Sequence, residues 1–146
     1  MYRYFWTLAL LLGLLAFLTK NLELAFIDIN VHDTYYVISY FSFFTLLGLI
    51  YLSQGLGYWI VQALLKKEMI PLLTFLHTTL LLLSLILIAF SLLYFENVSP
   101  SLFENNYFTK DFFLLLSLFL LVVIAQPFYF LNVLLGLFSK KQSDWN

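Results

Sequence analysis

The sequence predicts an all-α integral membrane protein: a four-transmembrane-helix bundle, residues 1–146 as one domain, with the N- and C-termini both cytoplasmic. Three observations lead there. The first is composition. The chain is 63% hydrophobic and 10% charged, where a soluble domain carries roughly 45–50% apolar and about 25% charged residues. Seven basic and eight acidic side chains cannot cover a water-facing surface, and they leave no basic patch for nucleic acid. The second is the spacing of apolar runs. Four stretches, near residues 4–19, 36–65, 70–95 and 112–138, approach or exceed the ~20 residues needed to cross a hydrocarbon core of ~30 Å. The third is the placement of bases. Arg3, Lys66, Lys67, Lys140 and Lys141 fall on one side of the predicted spans, and Lys20 and Lys110 on the other. The side richer in Lys and Arg is the cytoplasmic one. The absence of cysteine removes disulfide frameworks and thiolate metal sites.

The first span has the basic start and apolar middle of a signal peptide. Phe17-Leu18-Thr19-Lys20-Asn21 offers no small-x-small cleavage site, so a retained helix is expected. Its neighbour follows a break, Lys20 to Asp33, that holds one base and three acids. Lys66-Lys67-Glu68 makes a tight charged turn, after which Pro71 suits the first turn of the third helix, where a missing N–H costs nothing. Glu96 to Asp111 is polar and ends in Thr109-Lys110-Asp111, a helix start with an acid in the first turn. Trp6, Trp59, Tyr2, Tyr4 and Tyr58 fall near predicted interfaces, where amphipathic rings are favoured. Asn97-Val98-Ser99 fits a glycosylation pattern, but Pro100 follows it directly.

Polar side chains inside a span need partners. The third span carries Thr74, His77, Ser84 and Ser91. The last three are seven apart and share one face. His77 reads as a ligand or proton acceptor, or as a neutral imidazole fastening neighbouring helices. Gly48, Gly55 and Gly57 in the second span allow close helix approach. Gly55-Leu56-Gly57 is not a phosphate loop, since no strand precedes it. Gln126-Pro127 in the fourth span removes one backbone donor and predicts a kink, with Gln126 and Asn132 facing the interior. No nucleophile triad, zinc motif or phosphate loop is present.

The segment Ile27-Asp28-Ile29-Asn30-Val31-His32-Asp33-Thr34-Tyr35-Tyr36-Val37 stands apart. It sets a His-Asp pair beside two tyrosines where an outward loop becomes a helix. Asp33 or Thr34 is expected to cap that helix, and Tyr35 and Tyr36 to anchor at the interface. The alternative is a hard-cation site of His32 and Asp33 with Asp28. His32-Asp33-Thr34-Tyr35-Tyr36-Val37 resembles a signature of subunit I of the heme-copper (cytochrome c) oxidases. Leu12-Gly13-Leu14-Leu15-Ala16 and Asp28-Ile29-Asn30-Val31 resemble the preceding helix and loop of that family. The resemblance implies that this chain corresponds to the last four helices of that longer subunit, with the same loop outward and the C-terminus inside.

The departures bear on function. Where the family continues with a His-Phe-His triplet that ligates two heme irons, this chain reads Tyr40-Phe41-Ser42. The arginine pair that holds heme propionates has no counterpart between Glu96 and Asp111, and Arg3 is the single arginine. His32 and Asp33 match family positions at a magnesium or manganese site that another subunit completes, which implies at most a weak cation site here. No heme or other cofactor is expected, nor oxygen reduction by this chain alone. The expected function is a non-catalytic, oxidase-subunit-I-like accessory or assembly subunit of a larger inner (cytoplasmic) membrane complex, respiratory by resemblance. Its expected partners are the lipid bilayer and other integral membrane subunits, with a homo-oligomer also open. The competing expectation is a heme- or quinone-binding redox protein using His77, with Tyr40 as an oxygen ligand.

Overall fold

The computed structural model describes residues 2–20, 26–31, 34–96 and 110–139. Among them, four helical stretches are long and apolar enough to cross a membrane: Tyr2–Thr19, Tyr40–Leu64, Pro71–Leu93 and Asp111–Phe138. The protein is therefore a multi-pass membrane protein of the all-α class. Met1–Met69 with Leu135–Asn146 form one compact unit, and Ile70–Leu134 form another.

In the first unit, α1 (Tyr2–Thr19) packs antiparallel on α2 (Tyr40–Trp59). The inner row of α1 is Phe5, Ala9, Leu12 and Ala16, stepping 4-3-4 as in a coiled-coil seam. The Phe5 ring lies 6.3 Å from that of Tyr51 and 5.2 Å from that of Tyr58, and Trp6 lies 6.2 Å from Trp59. Glycine on α2 sets the separation. A Cβ at Gly48 would already stand 3.5 Å from the Ala9 carbonyl oxygen and 3.6 Å from Leu12 Cβ. At Gly55 it would lie 2.5 Å from Trp6 Cδ1 and 3.1 Å from Phe5 Cβ. The expected close approach of helices at these small residues is thus present at Gly48 and Gly55.

The second helix begins later than the sequence suggests. Thr34 to Ser39 is not a helical turn but strand β2 (Thr34–Ser39), antiparallel to β1 (Phe26–Val31) with Phe26 opposite Ser39 and Val31 opposite Thr34. Thr-Tyr-Tyr-Val-Ile is a β-branched and aromatic run. Its partner alternates, with Ile27 and Ile29 both buried, the period of a half-covered strand. Asp33 lies outside the described residues, and Thr34 does not cap α2, because the chain is still extended there. Ser39 does so instead: its Oγ accepts the Ser42 N–H at 3.2 Å and donates to Ser42 Oγ at 2.8 Å.

The far end of α2 widens into a π-helical turn, Ile60–Leu64, in which Leu65 N–H reaches the Ile60 carbonyl at 2.9 Å. Lys66 then takes the left-handed conformation, φ 51°, and Lys67 N–H closes on the Val61 carbonyl at 3.0 Å. These bonds occupy carbonyls that a helix end leaves open. The Lys67 ammonium donates to the Leu137 carbonyl near the end of the last helix, where a cation complements the helix dipole. Beside it, a Cβ at Gly136 would meet Met69 Sδ at 2.7 Å and Val61 Cγ1 at 3.0 Å.

In the second unit, α3 (Pro71–Glu96) starts at Pro71 as expected. Its buried row is Thr74, His77, Leu81, Ser84, Ile88 and Ser91, an unbroken 3-4 alternation. The expected shared face of His77, Ser84 and Ser91 is therefore the inner one. It meets the last span antiparallel, with Phe90 against Phe113 and His77 against Tyr129. That span is built from α4 (Lys110–Phe119), a π-helical turn (Leu120–Ile124) and α5 (Ala125–Phe138). Pro127 offers no N–H to the preceding turn. The Gln126 side chain folds back and its Nε2 donates to the Leu121 carbonyl at 2.9 Å.

The π turn adds one residue to the helical step. Leu114, Ser117 and Leu121 are buried before it, and Ala125 and Asn132 after it. An uninterrupted 3-4 alternation from Leu121 would have put Ile124, Phe128 and Leu131 inside. The extra residue instead brings Ala125, Tyr129 and Asn132 to face α3.

Candidate functional site

The polar side chains of the second unit gather where α3 begins and α5 passes it. Ile70 N–H donates to Asn132 Oδ1 at 3.0 Å, Asn132 Nδ2 donates to Thr74 Oγ1 at 2.6 Å, and Thr74 Oγ1 donates to the Ile70 carbonyl at 2.9 Å. The three bonds form a closed cycle. Asn132, Thr74 and His77 are all buried. One turn further along α3, the His77 imidazole faces the Tyr129 ring, with centroids 5.4 Å apart and planes at 35°. An ionisable side chain at such depth is the natural first candidate for function in a membrane protein. The phenol ring beside it belongs to the facing helix, a contact suited to joining two helices.

The serines on the same seam are closed onto their own helices. Ser84 Oγ donates to the Leu81 carbonyl at 2.8 Å and Ser117 Oγ to the Leu114 carbonyl at 2.7 Å. They act as small residues that let α3 and α4 approach. Asn132 faces inward as expected, and Gln126 is half-buried.

Tyr40 is the first residue of α2 and stacks on Phe44, with centroids 6.0 Å apart and planes at 16°. Ser42 belongs to the Ser39 cap. The two positions at which the resemblance implies heme ligands thus hold an aromatic stack and a helix cap. Tyr40 and His77 belong to different units. His32 and Asp33 lie outside the described residues, as do the Asn97-Val98-Ser99 sequence and most of the loop where the arginine pair is absent. Among the described residues, no three or more His, Cys, Asp or Glu side chains gather as a metal ion requires. Compared with known protein families, curated proteins and solved structures, the chain matches none.

Two further features emerge in the first unit. One is an open groove of about 630 Å³ along α1 and α2, floored by Ala9, Gly13, Ala16 and Gly48, with Trp6 toward one end and Lys20 at the other. Its volume is that of a ligand pocket, about 300–1,000 Å³. A Cβ on Gly13 would meet nothing within 4 Å, so the groove is open above it. The signal in the sequence is the spacing of small residues on α1, which is hidden among apolar neighbours.

The other is Gln54, only 2% exposed, near the middle of the second span. Neither its amide oxygen nor its nitrogen has a hydrogen-bond partner among the described residues. Leaving such a group unpaired costs roughly 1–3 kcal/mol. Gln54→Met, which matches its length without the amide, is expected to raise the thermal unfolding midpoint in detergent. A lowered midpoint would show instead that the amide holds a polar partner in the folded protein.

Proposed function

We propose that the chain is a non-catalytic membrane subunit, oxidase-subunit-I-like in origin, that serves in the accessory apparatus or assembly of a larger inner (cytoplasmic) membrane complex. The resemblance of His32-Asp33-Thr34-Tyr35-Tyr36-Val37 supports the oxidase-like origin and points to a respiratory complex. The observation that carries the subunit reading is the groove on α1 and α2. Helix association in lipid depends on close packing at small residues. Ala9, Gly13, Ala16 and Gly48 already form a concave surface of that kind on one side of the pair. A side chain from a neighbouring helix fits such a furrow. Of the buried polar groups in the second unit, Thr74 and Asn132 are engaged with each other, and His77 lies against the Tyr129 ring.

The test is purification in a gentle detergent, with identification of the co-purifying chains, for the natural sequence and for Gly13→Leu. Leucine at this position meets no atom of its own chain at its Cβ but fills the groove. The expected result is loss of the partner chains with no change in the thermal midpoint of the isolated protein. Recovery of the natural protein alone and monomeric would overturn the proposal. The same preparations decide the competing reading, in which His77 holds a heme or quinone: stoichiometric porphyrin with a Soret band, or bound quinone, would establish it.

A further inference from the structure

We propose that the β1–β2 hairpin lies flat in the headgroup layer of the bilayer, with phospholipid as its partner, rather than standing in water. Four features meet here. The first is continuity: Ser39, the last residue of β2, is the cap of α2, and Tyr40 opens a membrane span. Phe26 pairs with Ser39 and so sits at the same level, one strand spacing of about 4.8 Å away. The hairpin therefore begins at the boundary of the hydrocarbon.

The second feature is exposure. Thr34, Tyr35, Tyr36 and Val37 are all exposed, Tyr35 by 71% and Val37 by 63%. Successive side chains of a strand point to opposite faces. Tyr35 and Val37 thus share the open side, and Tyr36 takes the side on which its partner Ile29, and Ile27, are buried. Third, Thr34 to Ser39 contains no charge and no proline, the devices that usually protect an edge strand in water.

Length is the fourth. At about 3.3 Å per residue, an upright β2 would carry Tyr35 roughly 13 Å from Ser39. The headgroup layer on each side is only roughly 5–8 Å deep. An upright hairpin would lift both tyrosines through that layer into water. Lying along it keeps Tyr35 and Tyr36 at the depth where amphipathic rings are favoured. The unpaired edge of β2 needs hydrogen-bond partners, which the headgroups and their water supply and the hydrocarbon does not.

The chain has no cysteine, so single substitutions label uniquely. Full-length protein carrying Phe26→Cys, Tyr35→Cys, Tyr36→Cys or Val37→Cys is labelled with a nitroxide and placed in zwitterionic phosphatidylcholine vesicles. Collision with oxygen, which concentrates in lipid, is compared with collision with a water-soluble nickel chelate. The ratio of oxygen to nickel-chelate collisions at all four positions is expected to match that of a lipid labelled at its headgroup, with similar depths at 26 and 35. A ratio at 35 and 36 equal to that of a label in bulk water would overturn the proposal in favour of an upright hairpin. Protection from both reagents would overturn it in favour of a protein cover, whether a second copy or another chain. Far-UV circular dichroism of each labelled protein verifies the helical fold. Because Tyr35→Cys removes one anchoring ring, Val37→Cys supplies an independent reading on the same side.

Discussion

Gly55→Leu is expected to separate α1 from α2. The first carbon of any side chain at this position falls 2.5 Å from Trp6 Cδ1, 2.7 Å from Trp6 Nε1 and 3.1 Å from Phe5 Cβ. The indole can turn away only by giving up its place beside Trp59. Phe5 Cβ is fixed by the backbone of α1, so the second obstacle yields only if the helix itself moves. Overpacking of a tight core costs about 1–3 kcal/mol for modest additions. Gly55→Ala should fall in that range, and leucine should exceed it. The measurement is thermal or denaturant unfolding in detergent, with Trp fluorescence reporting the Trp6–Trp59 neighbourhood. Gly48→Ala is the internal comparison. Its Cβ would make ordinary contacts at 3.5 and 3.6 Å, so its effect should be small. An equal loss at Gly48 and Gly55 would contradict the helix separation described above.

The second large effect is expected at Asn132. Replacing it with leucine removes two bonds of the cycle and leaves the Ile70 N–H without its acceptor at the start of α3. A buried donor left unpaired costs roughly 1–3 kcal/mol, whereas polar contacts between membrane helices average only about 0.6 kcal/mol when both partners are removed in a cycle. Asn132→Leu should therefore cost more than Thr74→Val, because Thr74 gives up a bond to Asn132 without stranding a backbone N–H. The double variant should cost less than the sum. Unfolding of the three proteins in the same detergent tests the order, and strict additivity would show that the two side chains do not act as a unit.

The spans themselves were legible, because run length and the absence of charge decide them and neither depends on neighbours. The buried face of α3 was legible too: His77, Ser84 and Ser91 repeat every seven residues, and polar atoms in lipid have nowhere to point but inward. Two features escaped for physical reasons. Thr34 to Ser39 is apolar enough to look like the first turn of α2, and only pairing with Phe26 to Val31, a contact distant in sequence, makes it a strand. On the last span the inward Asn132 was foreseen, but the place of Tyr129 beside it escaped. A regular helical step from Leu121 leads to Phe128 and Leu131, and the single residue added by the π turn moves Tyr129 and Asn132 into that place. The pairing of His77 with Tyr129 is the direct result. The glycines of α2 announced a close approach, but a count of small residues does not say which one carries the contact. Gly55 does, because Trp6 lies across it.

The clasp between Lys67 and Leu137, with Gly136 seated against Met69 and Val61, has a consequence for biosynthesis. The first compact unit joins residues 1–69 to residues from Leu135 onward, with the whole of the second unit between them in the chain. Its first two helices can enter the membrane and pair while the second unit is still being translated. The carbonyl that receives the Lys67 ammonium does not exist until Ile70–Leu134 has been made. Maturation of this unit is therefore not strictly vectorial: these contacts close only after the second unit has left the ribosome, and a chain truncated before Gly136 would leave that corner of the early unit open.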